Sequence, residues 1–280
     1  MKLHGSQRRP GRHHLFRILC WIILVISAGG RVGDPGSNGK SALVLAREDR
    51  RAGDFTKAIG RLTDYLDEAG TNAEKGEEAE IRLELGLLFW NVGEIEKSKI
   101  QYESAKRIAC ESRLNKESLI SNECLKILAE YGSGKAARAD GKFTDAIRFF
   151  ESAIRTAKEI RSKEHEVKCL RHLSLVYWEM NDLDKYLFLG REALALARSL
   201  KHKKEEGICL NNIGLYYWKK GDYSTALTHY QDALEIAVDL NDKEVRSLAA
   251  SNIAIIFLGL GEKEKALKYL LEVKEIDEDL

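Results

Sequence analysis

The sequence predicts an all-α protein, a right-handed α-solenoid of about six helical hairpins. Three observations predict it. A turn residue recurs at Gly53, Gly93, Gly141, Asn181, Gly221 and Gly261, at steps of 40, 48, 40, 40 and 40. Between these turns apolar and small residues fall three and four positions apart, the spacing of one helix face. Both prolines, Pro10 and Pro35, precede the periodic region, so the strongest helix breaker is missing from the rest of the 280 residues.

From the N-terminus, residues 1–29 read as a secretory signal peptide: a basic segment ending near Arg17, the apolar run Ile18–Ile26, then the small residues Ser27, Ala28 and Gly29. The run falls short of the ~20 apolar residues of a comfortable membrane span, which leaves an uncleaved anchor over residues 18–28 as the alternative. The chain is therefore expected outside the cytoplasm, secreted or periplasmic. Five basic residues and no acid lie in this segment. The remainder carries 40 basic and 44 acidic residues, a formal charge of −4. A nucleic-acid binder should carry a dominant basic field, so that class is set aside.

Residues 30–41 read as a Gly/Ser/Asn linker. Gly39-Lys40-Ser41 imitates the end of a phosphate-binding loop, but Asp34 stands where that loop needs its first glycine, and a carboxylate there repels phosphate. Residues 42–280 form the repeat array, with hairpins near 42–69, 79–110, 124–160, 167–200, 207–240 and 246–280. In the fifth, Gly207–Leu240, one helix carries Leu210, Ile213, Gly214 and Tyr217 on a face, and the other carries Ala226, Tyr230 and Ala233. Small residues let the two backbones approach, and Tyr217, Tyr223 and Tyr230 are expected to fill the space around them. The slot of Ala226 holds Ala58, Ser98, Ala146 and Ala266 elsewhere but Tyr186 in the fourth repeat, so packing must differ there. Asp49 and Ala137 replace the aromatic of Tyr177 and Tyr217. The longer third step places eight extra residues in Ser112–Glu123, expected to lengthen a first helix by about two turns, with a bulged loop as the alternative. The last hairpin keeps the apolar run Ile253–Leu258 and Leu267, Leu270, Leu271, Val273 and Ile276 with no solvating helix after it; docking, or continuation of the natural chain, is expected to cover them, with self-capping by the polar end Asp277-Glu278-Asp279 as the alternative.

A helical Gly followed by an aromatic, a turn Gly, then Ala, aromatic and Ala at fixed steps closely resembles the tetratricopeptide repeat (TPR). The repeats here are similar to the longer variant seen in kinesin light chain and in bacterial sensor and scaffold proteins. The resemblance implies protein or peptide partners and a scaffold rather than an enzyme, with no cofactor. It also admits a sensor region of a larger signalling protein, such as a histidine kinase or a CHAT-type protease.

The residues are read against catalysis and metal binding too. His165, Cys169 and His172 share a helical face at spacings that could hold zinc, but Cys209 repeats Cys169, which marks a packing slot, and His165 is expected in the preceding turn. Cys110 and Cys124 could pair in an oxidising compartment. Asp182/Asp184 and Glu205/Glu206 read as solvated turns. The binding residues are expected on a second stripe of each first helix, facing the concave side. The candidates are Lys168, Arg171, His172, Trp178, Asn212, Trp218 and Asn252, bordered by Trp90, Lys135 and Arg138. An Asn amide can grip an extended backbone, aromatics bury side chains, and the bases favour an acidic segment or a terminal carboxylate. Leu248 departs from that pattern where a base is expected.

Overall fold

A computed structural model describes residues 38–70, 73–111 and 116–278. Among the described residues there are twelve helices and no strand: α1 (Asn38–Arg51), α2 (Phe55–Ala69), α3 (Lys75–Asn91), α4 (Ile95–Glu111), α5 (Lys116–Ala139), α6 (Phe143–Glu159), α7 (Lys163–Glu179), α8 (Leu183–Ser199), α9 (Lys203–Lys219), α10 (Tyr223–Asp239), α11 (Lys243–Gly259) and α12 (Lys263–Glu278). The signal-peptide reading lies outside these residues. None of the described helices is long and apolar enough to cross a membrane. The Gly39-Lys40-Ser41 backbone is helical, so it forms no phosphate loop.

Each hairpin turn is built locally. The expected turn residues all have positive φ, from Gly93 at 81° to Asn181 at 60°, the conformation that glycine and asparagine tolerate best. At Asn181 the next two N–H groups close back on the helix: Asn181 donates to the Trp178 carbonyl and Asp182 to the Tyr177 carbonyl. This is the pairing that satisfies the last carbonyls of a helix. Asp54, Asp182, Asp222 and Asp242 then accept a backbone N–H three residues on and start the following helix. A second set of positive-φ residues, Gly70, Arg161, Lys201 and Asn241, joins one hairpin to the next; with Arg and Lys among them, composition does not signal it. The extra residues of the third repeat do lengthen a first helix. Helix α5 has 24 residues against 17 for α4 and α6, about two turns more.

Within hairpins, backbone approach is set by matched side-chain sizes. Gly86, Gly134 and Gly214 lie against the rings of Tyr102, Phe150 and Tyr230; a Cβ at any of the three would fall under 3.0 Å from a ring carbon. In the first and sixth repeats the same two slots hold Ala46 with Leu62 and Ala254 with Leu270. The fourth repeat inverts the pattern. Gly190 stands in the aromatic slot and Tyr186 in the small one, and Tyr186 is fully buried with its hydroxyl donating to the Asn212 carbonyl. Asp49, in place of an aromatic, ties α1 to α2 by accepting from Lys57 and Arg61 at 2.8 and 3.0 Å. Tyr223 does not fill the hairpin as expected: it is exposed at the first residue of α10, pointing past the packed face.

The backbones of first helices of consecutive repeats come within 8 Å of one another, whereas those of second helices do not and are spanned by long side chains, as Lys158 reaches Glu192 at 4.0 Å. The array therefore curves with α1, α3, α5, α7, α9 and α11 on its inner side. In the last hairpin Ile253, Ile256 and Ile276 are buried, while Leu258, Leu267, Leu270 and Leu271 are exposed.

Candidate binding groove

The inner face is crossed by side-chain contacts from each first helix to the next. Arg47 and Arg50 of α1 donate to the buried Glu84 of α3 at 3.2 and 2.6 Å. Lys135 of α5 sits over the Trp90 ring of α3, 4.9 Å from its centroid. The Tyr131 hydroxyl of α5 meets His172 Nε2 of α7 at 2.8 Å, and Arg171 of α7 donates to Glu205 of α9 at 3.0 Å. Asn252 of α11 donates to Asn211 of α9 at 2.8 Å.

Two of these contacts, Tyr131–His172 and Asn211–Asn252, join the same pair of slots one repeat apart, 41 residues each time. The equivalent pair between the fourth and fifth repeats is Arg171 and Asn212, and there the contact is missing. A guanidinium only donates, so it cannot accept from an amide N–H, and Glu205 holds it instead. Asn212 Nδ2 is left buried and without a partner, as are Asn211 Nδ2 and His172 Nδ1. Buried polar groups normally have partners, and each that lacks one costs about 1–3 kcal/mol.

The candidate residues therefore differ in state. Lys168 is exposed. Arg171 is held by Glu205, with both side chains mostly covered. His172 is buried, stacked on Phe150 and edge-on to Tyr131. Trp178 is wedged between repeats, its ring 5.0 Å from Tyr186 and covered by Lys219. Trp218, in the same slot one repeat on, is 38% exposed. Asn252 is engaged by Asn211. Of the bordering bases, Arg138 has Glu179 at 3.7 Å, while Lys135 contacts only the Trp90 and Tyr131 rings and has no carboxylate within ion-pair reach among the described residues. Burial, and then Arg138 and Arg171, press the Lys135 ammonium below the usual lysine range.

Several expectations are corrected here. Glu205 and Glu206 are not solvated: they lie in the first turn of α9, buried where it packs on the preceding hairpin, and pair with Arg171 and with Arg198 and Lys203. His165 is in the first turn of α7 rather than before it, its Nδ1 2.7 Å from the Ser162 hydroxyl. Cys169 and Cys209 are buried packing residues whose thiols burial pushes up to about 12, and His165 and His172 point to separate partners. The structure shows no disulfide between Cys110 and Cys124.

Burial and the surrounding Arg171, Arg138 and Lys135 hold His172 neutral, well below the usual histidine range; burial also lowers His165 and His229. An unfolded chain protonates these groups near pH 6.5 while the folded one does not, so the unfolded state binds more protons. Stability is expected to be complete above about pH 6.5 and to fall as pH drops below it, by at most about 1.4 kcal/mol per pH unit for each histidine. Urea denaturation between pH 7.5 and 5.5 measures this, and His172→Gln should flatten the slope; an unchanged slope would remove His172 from the account.

Comparison with known proteins places this geometry. A family model described as tetratricopeptide repeat matches residues 125–199 and 205–279, just over half of the chain. A model of anaphase-promoting complex subunit 5 matches residues 45–128. No curated protein sequence matches. Among solved structures, BtubC (BKLC) from P. vanneervenii is 18% identical with a TM-score of 0.61, over 82% of this chain and 91% of that one. NprR in complex with its cognate peptide NprX is 18% identical with a TM-score of 0.64, over 94% and 73%. The Rap conjugation gene regulator of plasmid pLS20, in complex with the Phr* peptide, is 14% identical with a TM-score of 0.64, over 97% and 86%. At these identities the likeness is one of fold.

Proposed function

The chain belongs to the tetratricopeptide repeat family, and from that premise we propose that it is a non-catalytic scaffold that captures a peptide or protein segment along the inner face of its first helices. The observation that carries this reading is the interrupted contact between the fourth and fifth repeats. There a buried amide, Asn212 Nδ2, has no partner in the protein, and an exposed tryptophan, Trp218, stands on the same helix. A bound backbone carbonyl offers the acceptor the amide lacks, and a bound side chain offers apolar surface to the indole. Arg138 and Lys135, two first helices away on α5, favour an acidic segment. Two fold neighbours, NprR and the pLS20 Rap regulator, are complexes with peptides, which agrees with this use of the fold. The basic and apolar N-terminal segment supports an extracytoplasmic setting, with membrane attachment if the segment is retained.

Linear peptides selected from a random library on the immobilised full chain provide the probe. Asn212→Ala with Trp218→Ala is expected to weaken their capture by ~2–4 kcal/mol, the scale of paired hot-spot losses. Stability is the discriminating control. The Asn212 amide has no partner to lose, so Asn212→Ala should leave the melting transition unchanged or raise it slightly. A variant that melts earlier and still captures the peptides would make the stripe purely structural.

A further inference from the structure

Two slots of the inner face change character along the array. One holds Lys135 in the third repeat, then Leu175, Leu215 and Ile255; the other holds Arg138, then Trp178, Trp218 and Leu258. Their surroundings differ in the same sense. In the third repeat Lys135 has only rings for company, and Arg138 has a single carboxylate, Glu179, at 3.7 Å. In the first repeat the bases of the same slots, Arg47 and Arg50, are neutralised by the buried Glu84 of the second, whose own slots hold Leu87 and Trp90. Within these two slots, the charge left unmatched by the protein is thus that of Lys135, with Arg138 held by one carboxylate at 3.7 Å. At the other end Trp218, Leu248, Ile255 and Leu258 are 38%, 44%, 49% and 52% exposed. These are large apolar side chains on the fifth and sixth first helices, and the strip between them is occupied by Asn211 and Asn252 bonded to each other.

We propose that the groove is divided, with a cationic half at Lys135 and Arg138 and an apolar half at Trp218, Leu248, Ile255 and Leu258, and that its occupant is an extended peptide carrying an acidic residue at one end and large apolar residues at the other. This rests on the groove reading above and specifies its ligand. The spacing follows from the fold. Neighbouring packed helices are about 8–10 Å apart, so α9 and α11 lie roughly 20 and 30 Å from α5. An extended chain rises about 3.3 Å per residue. The apolar residues should therefore fall about six and nine positions from the acidic one. An unmatched ammonium in a half-buried setting is answered by a carboxylate better than by any neutral group, and exposed leucine and tryptophan surface is answered by aliphatic or aromatic side chains.

The same random-library peptides test this on the full chain. Enriched peptides should carry Asp or Glu with two large apolar residues at the stated separations, in one direction only. Lys135→Ala with Arg138→Ala should cut their capture at least tenfold, lose its effect when the peptide acid is changed to its amide, and lose most of its effect at high salt. Ile255→Ser with Leu258→Ser should cut capture at least tenfold and stay salt-independent. Ile255 and Leu258 are exposed, so that pair should leave the circular dichroism melt unaltered; Lys135→Ala with Arg138→Ala also gives up the Trp90 and Glu179 contacts, and the acid-against-amide comparison on that one variant separates charge recognition from any change in folding. If capture depends on Asn212 and Trp218 but the peptides lack the acid or the separations, the division is overturned while the groove stands. If capture ignores Asn212 and Trp218, or no peptide is enriched, the groove reading itself fails.

Discussion

Tyr186→Ala is expected to lower the free energy of unfolding by about 3–5 kcal/mol, the range for emptying a large buried aromatic site. Tyr186 is among the largest fully buried side chains. It lies where other repeats have alanine or serine, packs against Trp178, and its hydroxyl donates to the Asn212 carbonyl. Truncation leaves a cavity between the fourth and fifth repeats and removes a buried hydrogen bond. Gly190, in the aromatic slot, has only Ile213 within 4 Å of where its Cβ would be, so it contributes nothing to fill the void. The inversion supplies its own control. Tyr186→Ala combined with Gly190→Tyr and Ser174→Gly restores the arrangement of the fifth repeat and should recover much of the loss. Urea unfolding of the full chain, followed by circular dichroism, measures both. A loss under about 1 kcal/mol would mean that neighbouring helices collapse into the space and that the inversion is incidental.

The second large effect is Gly214→Ala. A Cβ there would lie 2.5 Å from a Tyr230 ring carbon, and the ring is fully buried, so it has no open space to swing into. Overpacking of this kind costs about 1–3 kcal/mol, occasionally more, and exceeds the helix-propensity gain of under about 1 kcal/mol from replacing a glycine by alanine. The repeats themselves name the compensating change, since alanine in this slot goes with leucine opposite, as in Ala46 with Leu62. Gly214→Ala with Tyr230→Leu should therefore be more stable than Gly214→Ala alone, with a coupling of about 1–3 kcal/mol in a double-mutant cycle. Additive effects would show that the pairing of sizes is coincidence rather than contact.

The sequence by itself determined the features that depend on neighbours a few residues away. The hairpin turns, their positive-φ residues, the two added turns of α5 and the Gly214–Tyr230 packing are all set within one hairpin, so periodicity and small-residue placement reveal them. Tertiary structure decided what depends on the next repeat, about 40 residues distant. Trp178 and Trp218 occupy one slot, yet only Trp178 has a tyrosine and a lysine closing over it. Arg171 was legible as a groove base, but Glu205 takes it, and a donor-only guanidinium in that slot offers the Asn212 amide N–H no acceptor. Glu205 and Glu206 looked like surface acids because burial arises from the adjoining hairpin rather than from their own helix. Lys135 and Arg138 were visible as bases; that Arg138 has a carboxylate beside it and Lys135 has none was not, because ion pairing depends on three-dimensional proximity that a repeat pattern does not encode.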